Sequence, residues 1–216
     1  MNKATVAVIA GTRVDTGMGV DVLTAKGLAA LPFPVSQEAR EQTLLQILPA
    51  EQKKEKIRAI LRDIQSRGIE KVFVYCNSLS GAVPMPELAA EEDMKIVTPL
   101  DAYALIAERY KRLAVLAANC QGLAGIERTI LQVNPRADVF SAAALPLVLA
   151  VEDGMEPHAL VEKFFLAKLM DYFAANGAEA VILGCTHFPY FREALAKKTE
   201  LDLIDPADIM LELLLR

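Results

Sequence analysis

Two stretches of the chain, Val72-Phe73-Val74-Tyr75 and Ala180-Val181-Ile182-Leu183, are apolar at every position, with no alternation between faces. A sheet with one wet face reads apolar and polar in turn, so such runs belong in a parallel sheet covered by helices on both sides. Shorter runs of the same kind recur, and strands are predicted at Thr5–Ala10, Lys71–Cys76, Lys95–Val97, Arg112–Ala117, Ala137–Phe140, Glu179–Gly184 and Leu201–Asp205. Helical spacing fills the intervals at Gln37–Leu48, Glu51–Ser66, Asp101–Lys111, Leu123–Gln132, Pro157–Asn176, Tyr190–Lys198 and Pro206–Leu214. Arg67-Gly68 and Asn176-Gly177 mark two helix ends, because glycine takes the left-handed turn that closes a helix. Strand and helix in alternation predict a doubly wound α/β fold. The most apolar stretch, Phe140 to Val151, is too short to span a bilayer and reads as buried strand and loop.

Charge and cysteine content exclude several classes of function. With 23 Lys and Arg against 28 Asp and Glu, the net charge is −5, and basic residues cluster no further than pairs such as Lys53-Lys54. Nucleic acid is not an expected partner, since phosphate binding needs a basic footprint. Small acids remain open, because backbone amides hold anions without net positive charge. The opening Met1-Asn2-Lys3 leads into a short apolar run with no leader-like core, so neither export nor a membrane anchor is expected. The 3 cysteines form no C-x-x-C pair, which suits thiols in a reducing cytoplasm. No His/Cys cluster has metal-ligand spacing, and no metal is expected.

The two apolar runs share a continuation. One proceeds to Cys76-Asn77-Ser78 and the other to Gly184-Cys185-Thr186-His187, each then reaching a proline-bearing turn. Sites in open α/β sheets form beyond the carboxyl ends of strands, so both thiols are expected at the mouth of a sheet, each from its own lobe across a cleft. A thiolate and a thiol on opposite faces of one carbon form a two-base device: one removes a proton, the other delivers one, and the stereocentre inverts without metal or organic cofactor. Asn77, Ser78 and Thr186 offer neutral hydrogen bonds to a carboxylate. Free cysteines are also among the most buried residues, and a lone Cys at either place would read as core; the pair, each followed by polar residues, reads as chemistry.

At these residues the sequence resembles the cofactor-independent aspartate/glutamate racemase superfamily, most closely its glutamate racemases. Cys76-Asn77-Ser78 matches that family's C-N-[ST], and Gly184-Cys185-Thr186-His187-Phe188-Pro189 its more specific G-C-T-H-[YF]-P. Asp15-Thr16-Gly17-Met18-Gly19 is similar to D-S-G-x-G, and Pro146-Leu147 through Glu152-Asp153-Gly154 to the stretch preceding the second Cys. The resemblance implies two pseudosymmetric doubly wound lobes with parallel sheets, divided as 1–98 plus 201–216 and 99–200, with the active site in the cleft between them. It implies Cys76 and Cys185 as acid/base thiols, Asp15 as a polar assistant of Cys76, and His187 with Glu152 on the Cys185 side. Thr16, Asn77, Ser78 and Thr186 would bind the substrate's carboxylate and amine. The family's P-Y-G is replaced by Pro34-Val35-Ser36, so Pro34 and Ser36 take the place that seats the distal carboxylate, without its Tyr or Gly. The expected protein is a cytoplasmic, PLP-independent homodimer acting on an acidic amino acid, glutamate first and aspartate second.

Other readings of the same residues differ in class. Cis-trans isomerisation of a small dicarboxylate also uses two thiols, whereas decarboxylation in this superfamily needs one. A non-catalytic binding protein on the same scaffold would need no reactive thiol. Glu152-Asp153-Gly154 is by composition a turn, Cys120 reads as a packed loop thiol, His158 as a surface residue, and Glu51–Lys56 as a solvated helix face.

Overall fold

The computed structural model describes residues 5–216, so the opening Met1-Asn2-Lys3 lies outside the described residues. The chain divides into two compact units, one comprising residues up to Ala102 together with Ala207–Arg216, the other Tyr103–Pro206.

The first unit runs β1 (Thr5–Ala10), α1 (Arg13–Ala25), β2 (Ala29–Pro34), α2 (Ala39–Gln46), α3 (Ala50–Ser66), β3 (Lys71–Val74), α4 (Asn77–Ala82), α5 (Met85–Glu91) and β4 (Lys95–Val97), with α6 (Pro99–Ala107) leading out of it. Its four strands are parallel in the order β2-β1-β3-β4. The second unit continues with β5 (Arg112–Ala117), α7 (Cys120–Val133), β6 (Asp138–Ala143), α8 (Leu145–Glu152), α9 (Pro157–Lys163), α10 (Leu166–Ala175), β7 (Ala180–Gly184), a 3-10 turn at Phe188–Phe191, α11 (Arg192–Ala196) and β8 (Asp202–Ile204). Its sheet repeats the same parallel order as β6-β5-β7-β8. The last helix, α12 (Pro206–Leu215), returns to the first unit, where Met210, Leu211 and Leu214 join the core. The units divide after Ala102 and after Pro206, beside the expected 98/99 and 200/201; β8 pairs with β7, so at the second boundary only the helix beyond it crosses back.

Val72, Phe73 and Val74 are wholly buried, and so are Ala180 through Leu183, as strands covered on both faces must be. Departures from the sequence reading have local causes. β2 carries Pro32 and Pro34, which argue against a strand; it is tolerated because it is an edge strand, pairing only with β1. Helix α1 contains Gly17 and Gly19, which hide a helical pattern. Gly19 is there for packing: a Cβ on it would lie 2.7 Å from Val8 Cγ1 and 2.9 Å from Tyr75 Cβ, so only glycine lets α1 lie this close to the sheet. Pro157–Asn176 is two helices, not one, since Phe165 takes a left-handed φ of 52° between α9 and α10. Phe140–Val151 is not strand and loop but the end of β6 and the apolar helix α8, with Pro146 in its first turn, where a missing N–H costs nothing. No helix among the described residues is long and apolar enough to cross a membrane.

Helices α3 and α5 are tied on the surface by ion pairs from Lys54 to Glu87 and Glu91 and from Arg58 to Glu91. Hydrogen bonds from Arg58 and Lys54 hold the Glu91 carboxyl below its usual 4.5. A depressed carboxylate stabilises the fold above its unfolded value and loses that contribution as pH falls through the folded one. Glu91→Gln is therefore expected to lower the melting temperature slightly at pH 7, and the difference should shrink as pH drops below 4.5. Melting curves of both proteins at pH 7 and in acid check this.

Candidate active site

In each sheet the chain leaves the first strand towards one neighbour and returns on its other side, so β1/β3 and β5/β7 flank topological switch points, where α/β sheets open crevices at their carboxyl ends. Cys76 and Cys185 occupy equivalent places, just beyond β3 and β7, and both are buried.

In the first unit Cys76 is the N-cap residue of α4. Its Sγ lies 3.6 Å from Ser78 Oγ and accepts a hydrogen bond from Gln42 Nε2 at 3.8 Å. The Gln42 amide is oriented in turn by the Ser36 hydroxyl, which donates to Oε1 at 3.2 Å. Gly11 makes room for this side chain, since a Cβ there would stand 2.8 Å from Gln42 Cγ and 3.3 Å from Asp15 Oδ2. Asp15 and Gln42 thus flank the same glycine. The Asp15 carboxylate accepts from Gly11 N at 3.1 Å, Thr12 N at 2.6 Å and Thr12 Oγ1 at 2.9 Å, forming a capping box at the start of α1.

In the second unit Cys185 Sγ lies 3.6 Å from His187 Nδ1, and His187 Nε2 lies 3.1 Å from Glu152 Oε1. An ionised carboxylate only accepts, so Nε2 carries a proton towards Glu152 and leaves Nδ1 facing the thiol. The imidazole can then take the thiol's proton or, once charged, donate to the thiolate. Glu152 reaches this position as the last residue of α8, where Gly154, at φ +72°, closes the helix. Glu152-Asp153-Gly154 is thus a helix-closing turn that also carries Glu152 to His187. Gly184 precedes the thiol because a Cβ there would lie 2.7 Å from Ile126 Cδ1 and 3.0 Å from the Leu116 carbonyl oxygen.

The structure therefore joins Cys76 with Ser78 directly and with Ser36 through Gln42, and Cys185 with His187 directly and with Glu152 through that imidazole. Asn77 and Thr186, each next to a thiol in the chain, are buried. Two residues expected to bind substrate are placed otherwise. Thr16 is wholly buried, its hydroxyl donating to the Thr12 carbonyl within the first turn of α1. Pro34 ends β2 and lines a surface hollow of about 380 Å³ with Ala59, Ile60 and Asp63 of α3. Cys120 is an exposed N1 residue of α7, not a packed loop thiol. Gln42 was not singled out by sequence; its only signal is a polar residue on the buried side of a short helix. Among the described residues no group of three or more His, Cys, Asp or Glu is placed to hold a metal ion.

Comparison with known proteins agrees with this fold. The family model described as Asp/Glu/Hydantoin racemase matches residues 101–214. A glutamate racemase of Limosilactobacillus reuteri is 29% identical over 150 residues, covering 64% of this chain and 53% of its own length. One of Thermus thermophilus is 31% identical over 150 residues, covering 66% and 53%. The chain thus spans about half the length of the curated relatives it matches. A solved glutamate racemase of Francisella tularensis, in complex with D-glutamate, has the same fold, with a TM-score of 0.77 at 18% identity over all of this chain and 82% of that one.

Proposed function

The chain belongs to the Asp/Glu/Hydantoin racemase family, and we propose that it interconverts the L- and D-enantiomers of an acidic amino acid, glutamate first and aspartate second, by proton transfer between two thiols. The observation that carries this reading is the repeat of one arrangement: in each four-stranded sheet a buried thiol follows the strand beside the switch point and is held by polar side chains. One thiol, as thiolate, takes the α-proton; the other gives its proton to the opposite face of the same carbon. The product leaves with inverted configuration and the two thiols exchange protonation states. Asn77, Ser78 and Thr186 hold the substrate's carboxylate and amine, and Ser36 is diverted from the distal carboxylate to Gln42. The reading includes a cytoplasmic homodimer that needs neither PLP nor a metal.

The two thiols are served differently. His187, steadied by Glu152, is an ionisable partner for Cys185, so Glu152→Gln should lower turnover by about tenfold to a hundredfold, by loosening the imidazole that manages the Cys185 proton. Steady-state kinetics in both directions check this. The proposal itself is tested by incubating the protein separately with each enantiomer of glutamate and aspartate and with a cis-dicarboxylate, followed by chiral chromatography. The expected product is the mirror image of one of the amino acids. Conversion of the cis-dicarboxylate to its trans isomer, with no enantiomer formed, would replace racemisation by isomerisation.

A further inference from the structure

Gln42 stands where a neutral side chain can act on a thiol. It projects from α2, is buried, and directs its amide N–H at Cys76 Sγ. Because the Ser36 hydroxyl donates to the amide oxygen, that oxygen is turned away from the sulfur and the NH2 end is turned towards it. Gly11 supplies the space, with the Gln42 Cγ and Cδ atoms 2.8 and 3.0 Å from where a Cβ would be. An amide N–H can donate to sulfur but cannot accept the thiol's proton. It therefore favours thiolate over thiol without forming a relay, unlike His187 beside Cys185.

We propose that Gln42 is a positioning residue for Cys76: with Ser36 behind it, it fixes the Sγ in one orientation and stabilises the thiolate that accepts a substrate proton. The assignment of that thiolate as a base rests on the racemase reading, whereas the effect of Gln42 on the thiol does not. The titratable and charged groups on the packed elements are few. Helix α1 brings Asp15 to the other side of Gly11, α4 carries none, and on α2 Arg40 and Glu41 are exposed, Glu41 accepting from Gln37 N at 2.7 Å. The Asp15 carboxyl accepts from Gly11 N, Thr12 N and Thr12 Oγ1, so its oxygens act there as acceptors, whereas Gln42 offers the sulfur an N–H donor.

The two halves of one reaction thus have different partners. Cys76 is served by a fixed neutral donor; Cys185 is served by an imidazole that changes charge. Loss of Gln42 should therefore weaken proton removal from one enantiomer more than from the other.

The test is the pH dependence of alkylation by iodoacetamide, thiol by thiol, followed by peptide mass spectrometry on the intact wild-type chain and on Gln42→Met, which keeps length and loses the donor. In Gln42→Met the Cys76 rate at pH 7 should fall about tenfold, with its pH midpoint displaced upwards, while the Cys185 rate stays as in wild type. Ser36→Ala, which frees the amide to rotate, should move Cys76 in the same direction by a smaller factor, and it serves if Gln42→Met does not fold. A Cys76 profile unchanged in both variants, or Cys76 and Cys185 slowed alike, would overturn the proposal. Because alkylation needs no turnover, that result leaves the racemase reading standing. A wild-type protein that racemises nothing would instead defeat the racemase reading while the alkylation result stands.

Discussion

Alanine in place of either Cys76 or Cys185 is expected to abolish racemisation, a loss of at least about 10²–10⁴-fold in turnover in both directions. Inversion needs a proton taken on one face and given on the other, so neither thiol can do the work of both. The two variants should nonetheless differ. The thiol that remains can still take the α-proton from the enantiomer presented to it and return a solvent proton to the same face. Each single variant should then exchange one enantiomer without inverting it, and Cys76→Ala and Cys185→Ala should choose opposite enantiomers. Cys120→Ala, at the exposed start of α7, should leave turnover as in wild type. Chiral chromatography together with deuterium incorporation, measured for all three proteins, separates these outcomes. Full racemisation surviving the loss of Cys76 or Cys185 would contradict the two-thiol mechanism.

The second large effect is structural and falls on Gly184. Its φ is unexceptional, so the constraint is space: a Cβ would meet Ile126 Cδ1 at 2.7 Å, the Leu116 carbonyl oxygen at 3.0 Å and Val115 Cγ1 at 3.2 Å. Ile126 can turn aside, but the Leu116 carbonyl is part of the neighbouring strand β5, whose residue Ala117 pairs with Gly184 itself. Gly184→Val adds a Cβ and two methyl groups to this gap. It should destabilise the protein by about 3 kcal/mol, the upper end of the usual cost of overpacking. Melting temperature should fall by roughly 6–12 °C for a chain of this size. Because the displaced strand end carries Cys185, activity should fall at temperatures where the variant is still folded. Calorimetry and kinetics on the same preparation distinguish the two effects.

The parallel sheets were legible because Val72–Tyr75 and Ala180–Leu183 are apolar on both faces, as strands covered on both sides are, whereas the equally apolar run 145–151 lies in helix α8. The candidates Cys76, Cys185 and His187 were legible because their motifs are local, with strand, thiol and turn within a few residues, whereas Glu152, 35 residues before His187, came from the resemblance alone. What was hidden depends on contacts between distant segments. Helix α1 was masked by Gly17 and Gly19, and the reason for Gly19 is the approach of Val8 and Tyr75, which spacing does not reveal. Strand β2 was masked by Pro32 and Pro34, which are harmless only because the strand has a single neighbour. Thr16 resembles a ligand-binding threonine in sequence, yet its hydroxyl is used by the first turn of its own helix. Gln42 meets Cys76 across 34 residues of sequence, through a gap left by Gly11, and no periodicity marks it.

The most direct test of the central claim is proton NMR in D2O, following the α-proton of L- and D-glutamate and of L- and D-aspartate in the presence of the protein with its thiols reduced. The two-thiol account expects the α-proton signal of one of these acids to disappear from both enantiomers while the opposite enantiomer accumulates with deuterium at the α-carbon. Retention of every α-proton, with Cys76 and Cys185 both reduced and the protein folded, would contradict it.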